Sequence, residues 1–197
     1  TCHEYGIECY AWINPYRYHT SKNGTHGGGA LDYEVTHPEW LMSGTTSNTV
    51  LNPAKKEVLQ RILDVTREIV TNYDVDGVVF DDYFYPQGGT AENSTAPDWA
   101  DYQASGTSLS IGDWRRANVN NMVGEVNKLI KSIKPYVCFG ISPAGKSSPP
   151  NVETEYGMPA LGGDFQYNSI YSDPLYWLKH QQLDFVSPQV YWVSEFK

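Results

Sequence analysis

A short apolar segment that ends at two adjacent carboxylates constrains this chain more than any other feature. Residues 74–86 read DVDGVVFDDYFYP, in which valine and phenylalanine follow Gly77 and the run stops at Asp81 and Asp82. An apolar run of this length is typical of a strand buried on both faces in a parallel α/β sheet. Pro86 and the glycines after it break any helical continuation, which disfavours the alternative of a helix-capping aspartate beside a solvated one.

The rest of the chain alternates strands with amphipathic helices. Strands are predicted over 6–13, 75–80, 137–142 and 185–190. Helices are predicted over 52–73, with Asn52 as its cap, over 113–134, capped by Asp113, and over 173–182. Turns from helix to strand are short, whereas the loops that follow strands are long, as in a (β/α)8 barrel whose function lies on those loops. A doubly wound sheet is the alternative, but no GxGxxG motif follows a strand.

The predicted fold class is therefore α/β, a (β/α)8 TIM-barrel type of which this chain covers about four βα units. A complete barrel takes about 250 residues, whereas this chain has 197 and both begins and ends on a predicted strand. We expect a single catalytic-type domain over residues 1–197 that is truncated at both ends. Two exposed sheet edges would then favour self-association.

Composition excludes some classes of function. The net charge of −9 argues against nucleic acid as a partner, because phosphates require a basic surface. No apolar run is long enough to predict a membrane span. Three cysteines without CxxC or HxxxH spacing predict neither a zinc site nor any other cofactor. The 15 tyrosines and 6 tryptophans are residues that stack well on sugar rings.

Six segments, in one order along nearly the whole chain, resemble the bacterial glycosyl hydrolase-like 10 family. They are AWINPYR (11–17), LNP (51–53), YDVDGVVFDDYFYP (73–86), DWRRANVN (113–120), GISPAG (140–145) and PQVYW (188–192). The resemblance implies barrel strands 3 to 6, hydrolysis of glycosidic bonds and an extracytoplasmic protein that is exported or lipid-anchored. In some members the implied substrate is the glycan of the bacterial cell wall. Two positions depart from the family, which usually carries histidine where this chain has Tyr10 and Val79.

The two adjacent acids are predicted to have different roles. Strand alternation places Gly77, Val79 and Asp81 on one face and Asp82 on the other, so the two acids are not expected to act as a catalytic pair. The segment VDGVVFD resembles the fourth strand of α-amylase-type barrels, which implies that Asp81 faces inward as nucleophile or base. Asp82 is then expected to bond the neighbouring loop or to line the mouth.

The remaining candidate residues lie at strand ends or directly after the acids. Those predicted to bind substrate are Asn14, Arg17, Tyr83, Tyr85, Ser142, Gln189, Tyr191 and Trp192. Loop anchoring is the alternative for the first two, and core packing is the alternative for the aromatic residues. The general acid stays open among Glu8, Glu153, Glu155, Asp164 and a strand outside the chain. At least one arginine of Trp114-Arg115-Arg116 is expected to pair with an acid such as Asp82 or Asp113.

Three hypotheses follow. The first is a glycosidase that acts on a polysaccharide through Asp81. The second is a sugar-binding barrel without turnover, which the two lost histidines and the unassigned acid favour. The third and weakest is a metal-assisted hydrolase that uses Asp81 and Asp82 as ligands.

Overall fold

The computed structural model describes residues 2–20, 32–43, 48–87, 89–145 and 165–191. In chain order its strands are β1 (Tyr10–Ile13), β2 (Arg17–His19), β3 (Leu41–Ser43), β4 (Thr49–Leu51), β5 (Gly77–Asp81), β6 (Cys138–Ser142) and β7 (Phe185–Val186). Its α-helices are α1 (Tyr33–Thr36), α2 (Lys56–Asn72), α3 (Trp99–Ser105), α4 (Ile111–Ile133) and α5 (Pro174–Lys179). None of the helices in these ranges is long and apolar enough to cross a membrane.

The central sheet has four parallel strands in the order β1-β5-β6-β7. Within this sheet each strand neighbours the sheet strand that follows it along the chain, and α2, α4 and α5 lie in the three crossovers between them. The register aligns Tyr10 with Gly77 and Asp81 with Ser142, so the carboxyl ends of the strands lie at one edge of the sheet. This arrangement confirms the predicted segment of a (β/α)8-type barrel.

Helices α2 and α4 cover one face of the sheet. The buried residues of α2 recur every fourth position, at Val58, Ile62, Thr66 and Val70, because side chains four residues apart lie on the same face of a helix. From the sheet, the alternating residues Val78, Phe80, Phe139 and Ile141 are fully buried in the same core. Burying each of these side chains contributes about 1.5–3 kcal/mol.

The opposite face of the sheet carries aromatic rings over glycines. Tyr10 packs edge-on against Phe185, with ring centroids 5.8 Å apart. A Cβ atom at Gly77 would overlap the ring of Tyr10, and one at Gly140 would overlap the ring of Phe185. The two glycines therefore make room for rings that cross the inner face. Trp12, on the same face, is 59% exposed.

The loop after β1 contains more structure than its composition predicts. Instead of an irregular segment up to residue 50, the described part forms an antiparallel sheet in the order β2-β4-β3, together with the short helix α1. The loop after β5 likewise contains α3. The short strands and helices in these loops carry too few residues for their periodicity to stand out from the sequence.

The predicted first residues of α2 and α4 are each wrong by about three residues. Asn52 does not cap α2, which begins at Lys56; its side chain accepts a hydrogen bond from Ala54 in the turn before the helix. The cap of α4 is Ser110, not Asp113, and the Ser110 hydroxyl accepts from the Asp113 amide at 3.1 Å. The Ser110 side chain also donates to the Asp113 carboxylate, so that both residues stabilise the first turn.

Candidate active site

Asp81 lies at the carboxyl end of β5, where side chains from two other strand ends reach it. Gln189, just after β7, donates from Nε2 to Oδ1 of Asp81 at 3.0 Å and to the Ser142 carbonyl at 2.7 Å. With its amide nitrogen facing Asp81, Asn14 donates to Oδ2 at 2.9 Å and accepts from Arg17 at 2.7 Å. The Asp81 side chain is thereby fixed by amides from the ends of β1 and β7, and the residue is only 5% exposed.

Asp82 is held by a different set of donors. Its Oδ2 accepts from the backbone amide of Ala144 at 3.1 Å and from Nε2 of Gln166 at 2.6 Å. Asp82 is 4% exposed. Burial raises the pKa of Asp82 to about 6, and the neighbouring charge of Asp81 acts in the same direction, while the bonds from Gln166 and Ala144 oppose the rise.

The predicted separation of the two acids onto opposite faces is wrong. Strand β5 ends at Asp81, so the alternation of side chains does not extend to the next residue. The Asp82 backbone amide instead donates to the Asp81 carboxylate at 3.0 Å. The two carboxyl groups also lie within hydrogen-bonding reach of each other, which contributes to the raised pKa of Asp82. We call Asp81 and Asp82 the acid pair.

Arg17 and Tyr83 lie beside the acid pair. The Arg17 guanidinium group lies 4.7 Å from the centre of the Tyr83 ring, a cation–π contact. Both side chains are half-buried, so each has a surface that a ligand can reach. Arg17 therefore anchors Asn14 and remains partly accessible.

Tyr85 is not placed to stack on a substrate. It is fully buried and packs edge-on against Tyr171, with ring centroids 5.0 Å apart. Burial raises its pKa well above the ordinary value. The chain turns into the core directly after the acid pair, so this aromatic residue belongs to the interior, as the core alternative predicted.

The other predicted binding residues lie at the same edge of the sheet or beyond it. Ser142 ends β6 and donates from its hydroxyl to the Ser187 carbonyl at 2.8 Å. Tyr191 is 83% exposed, and Trp192 lies outside the described residues. Ser142 is thus near the acid pair, while Tyr191 has ample free surface for a ligand.

A buried arginine supports the loops around the acid pair. Arg115 donates to both carboxylate oxygens of Asp98, at 2.8 and 2.6 Å, and to the Tyr171 hydroxyl at 2.7 Å. Its other bonds reach the carbonyls of Thr90 and Ala91 in the loop after β5. Burial opposes the charge, but the ion pair with Asp98 raises the pKa of the guanidinium. We call Arg115, Asp98 and Tyr171 the arginine cluster.

The prediction that at least one of the two arginines pairs with an acid such as Asp82 or Asp113 is confirmed. Arg116 does pair with Asp113, at 2.7 Å, but Arg115 pairs with Asp98 and not with Asp82. Sequence reasoning missed Gln166, which lies in a loop where no motif or periodicity points to it. Only the folding of the loop after β6 back onto β5 brings Gln166 to Asp82.

Among the predicted candidates for the general acid, Glu8 is the one that lies within the described residues, and it is far from Asp81. Glu8 is exposed and accepts a hydrogen bond from the Tyr10 hydroxyl. It precedes the start of β1, about 20 Å from the level of Asn14 at 3.3 Å per residue, whereas paired glycosidase carboxyls are about 5–9.5 Å apart. Glu153, Glu155 and Asp164 lie outside the described residues. Within the described ranges no three His, Cys, Asp or Glu side chains form a group that could hold a metal ion.

Two solved structures show a distant backbone similarity to this chain. Alpha-L-fucosidase isoenzyme 2 from Paenibacillus thiaminolyticus gives a TM-score of 0.48 at 18% identity, over 72% of this chain and 21% of that one. The GH36 alpha-galactosidase AgaA from Geobacillus stearothermophilus gives 0.47 at 15% identity, over 95% of this chain and 20% of that one.

Sequence comparison gives a more specific result. Glycosyl hydrolase YngK of Bacillus subtilis (strain 168) is 34% identical over 205 residues, which cover 98% of this chain and 38% of that protein. Glycosyl hydrolase DigH of Escherichia coli (strain K12) is 34% identical over 202 residues, which cover 96% of this chain and 44% of that protein. The chain thus spans less than half the length of either relative. The model of the family described as Glycosyl hydrolase-like 10 matches residues 1–196, and the chain therefore belongs to the glycosyl hydrolase-like 10 family.

Proposed function

We propose that this protein is a glycoside hydrolase that acts on a polysaccharide or cell-wall glycan, with Asp81 as nucleophile or base. The observation that carries the proposal is the setting of Asp81. Its carboxylate lies at the carboxyl end of a barrel strand, held by the amides of Asn14 and Gln189. Among the described residues, no Lys, Arg or His forms an ion pair with it.

This setting suits a reacting carboxylate. Glycoside hydrolysis passes through a transition state with positive charge on the sugar ring. A carboxylate held by neutral donors keeps its full negative charge to face that ring, whereas one paired with a cation does not. The half-buried Arg17 and Tyr83 lie alongside Asp81 and offer a charged group and an aromatic surface for sugar binding. The relatives YngK and DigH are named glycosyl hydrolases, which supports the same reaction class.

The second carboxyl group of the mechanism is not assigned to a described residue. Asp82 is too close to Asp81 to flank a scissile bond from the other side, since even retaining enzymes need about 5 Å. We propose that the general acid comes from Glu153, Glu155 or Asp164, or from a part of the barrel that this chain does not contain. The proposed location outside the cytoplasm rests on the resemblance of the six sequence segments.

The test is release of reducing ends from peptidoglycan and from plant and microbial polysaccharides. Asp81→Asn keeps the size of the side chain and both amide contacts can rearrange around it, but it removes the charge. We expect a loss of at least about 10³-fold in turnover. Asp113→Asn, in the exposed first turn of α4, is the matched control and is expected to keep wild-type activity. Turnover that survives in Asp81→Asn but disappears in Asp82→Asn would reverse the two roles.

A sugar-binding barrel without turnover is the second candidate. The observation that favours it is Tyr10, whose ring fills the inner face above Gly77 at a position where the family usually carries histidine. A protein of this kind binds the same glycans without releasing reducing ends from any of them. Activity that EDTA abolishes would instead support the metal-assisted alternative.

A further inference from the structure

Gln166 is a buried amide whose described contact is with the acid pair. It lies in the π-helical segment Phe165–Ser169, and it is fully buried. Its Nε2 donates to Asp82 at 2.6 Å, while its Oε1 has no partner among the described residues. Burying an amide with an unsatisfied oxygen is unfavourable, so core packing alone does not account for a glutamine at this position.

Of the described groups that contact the Asp82 carboxylate, all but one favour its ionised form. The loop after β6 supplies the Ala144 amide, and the π-helical segment supplies Gln166; both donate to the same carboxylate oxygen. From β5 the charged group that faces Asp82 is Asp81, which opposes ionisation. No described cation forms an ion pair with Asp82. Gln166 is therefore the one side chain in the described contacts that stabilises the Asp82 carboxylate.

We propose that Gln166 is a positioning residue for Asp82: its amide keeps the Asp82 carboxylate ionised beside Asp81 and so sets the pH at which the site becomes active. The inference rests on the proposed function and deepens it. A second negative charge beside Asp81 strengthens the attraction for a positively charged transition state. Protonation of Asp82 removes that charge. The amide of Gln166 counteracts the burial that favours protonation.

The raised pKa of Asp82, about 6, fits this role. A carboxylate that accepts N–H bonds has a lower pKa than one that does not, since the bonds stabilise the charged form. Loss of the Gln166 donor therefore raises the pKa of Asp82 further, by about one unit for one such bond. The site then loses the second charge at a higher pH.

The test is an NMR titration of the aspartate carboxyl carbons in wild type and in Gln166→Met, which keeps the length of the side chain and removes the donor. We expect the Asp82 signal to titrate near pH 6 in wild type and about one unit higher in the variant. Gln60→Met is the matched control, because Gln60 donates to Asp64 at 2.8 Å on the exposed face of α2 and is remote from the site. A midpoint that moves by less than about 0.3 unit in Gln166→Met overturns the proposal.

A measurement on wild type alone covers the case in which Gln166→Met does not fold. The side-chain amide signals of Gln166 must shift with the same midpoint as the Asp82 carboxyl, and signals that do not follow it overturn the proposal. Both titrations are independent of turnover, so they hold even where no glycan is cleaved and the proposed function fails. On any glycan that wild type cleaves, the acid limb of the kcat/KM profile must move upward in Gln166→Met by the same amount as the Asp82 midpoint.

Discussion

The protein buries two groups of charged side chains, and their charges are satisfied in opposite ways. In the arginine cluster, Arg115 and Asp98 are both fully buried and form two direct bonds. In the acid pair, Asp81 and Asp82 are nearly as buried, but their partners are neutral amides. In the arginine cluster the opposite charges of Arg115 and Asp98 neutralise each other, whereas in the acid pair no opposite charge among these partners neutralises the carboxylates.

We interpret this difference as one between a group that supports the fold and a group proposed to react. A buried ion pair with every donor satisfied holds loops in place and has no charge left for a ligand. The bonds of Arg115 to the Thr90 and Ala91 carbonyls fix the loop after β5 in this way. Carboxylates that are only hydrogen-bonded keep their charge at a cost to stability, a common feature of sites that react. Three predictions test this comparison.

The largest effect is expected for Arg115→Met. Removing the cation leaves Asp98 as an unpaired buried charge and frees two carbonyls, which costs about 3–5 kcal/mol in the free energy of unfolding. Urea denaturation at neutral pH measures it. Arg67→Met, on the exposed face of α2, is the control and is expected to change the free energy by less than about 0.5 kcal/mol. An Arg115→Met variant as stable as wild type would show that the cluster is not structural.

Asp82→Asn is expected to change the free energy of unfolding by a smaller amount, and to increase it. The pKa of Asp82 is about 6 in the folded protein, above the ordinary 3.8, so protonation favours folding. The contribution of protonated Asp82 to the free energy of unfolding is fully present below pH 3.8 and is lost as the pH rises through about 6. A neutral asparagine avoids that loss. We expect a gain of about 1–2 kcal/mol at pH 7.5 and no gain near pH 3.5.

Urea denaturation at these two pH values measures the gain. Asp64→Asn on the exposed surface of α2 serves as the control, with a change below about 0.5 kcal/mol at either pH. Destabilisation by Asp82→Asn at pH 7.5 would mean that the acid pair, like the arginine cluster, serves the stability of the fold.

The smallest effect is expected for Tyr171→Phe. The hydroxyl accepts from Arg115 at 2.7 Å and bonds Glu92 at 3.0 Å, so its removal weakens the arginine cluster without leaving a charge unpaired. We expect a loss of about 1–2 kcal/mol. Tyr5→Phe at an exposed position provides the baseline. A loss as large as that of Arg115→Met would place the hydroxyl, not the ion pair, at the centre of the cluster.

The order of strands and helices was predictable from the sequence because it depends on local periodicity. The stripe from Val58 to Val70 and the apolar run up to Phe80 carry that signal, and both elements are present in the structure. Helix starts were less predictable. Asn52-Pro53 resembles a cap, but the Asn52 side chain closes a turn and donates to Asp101, a contact 49 residues away in the chain.

Some residues of the candidate site were likewise predictable from the sequence, and others were not. Asp81, Asn14 and Gln189 were identified because each ends or follows a strand, and parallel strands bring their carboxyl ends together. Asp82 bonds the loop after β6, as predicted, whereas Tyr85 was assigned to the substrate because it follows the acids, and the structure buries it in the core. The role of Gln166 was not predictable, since no local pattern marks it.

The sequence by itself determined the α/β architecture and the edge of the sheet where the polar residues meet, and it predicted Asp81 as the central residue of the candidate site. Each of these follows from spacing between near neighbours in the chain. Only the tertiary structure decided which groups satisfy the buried charges: Asp98 for Arg115, and Gln166 for Asp82. These partners lie 17 and 84 residues apart. Asp98 meets Arg115 because the loop after β5 folds onto α4, and Gln166 meets Asp82 because the chain after β6 folds back onto the end of β5. This packing pairs Asp98 with a cation and leaves Asp82 bonded to neutral amides.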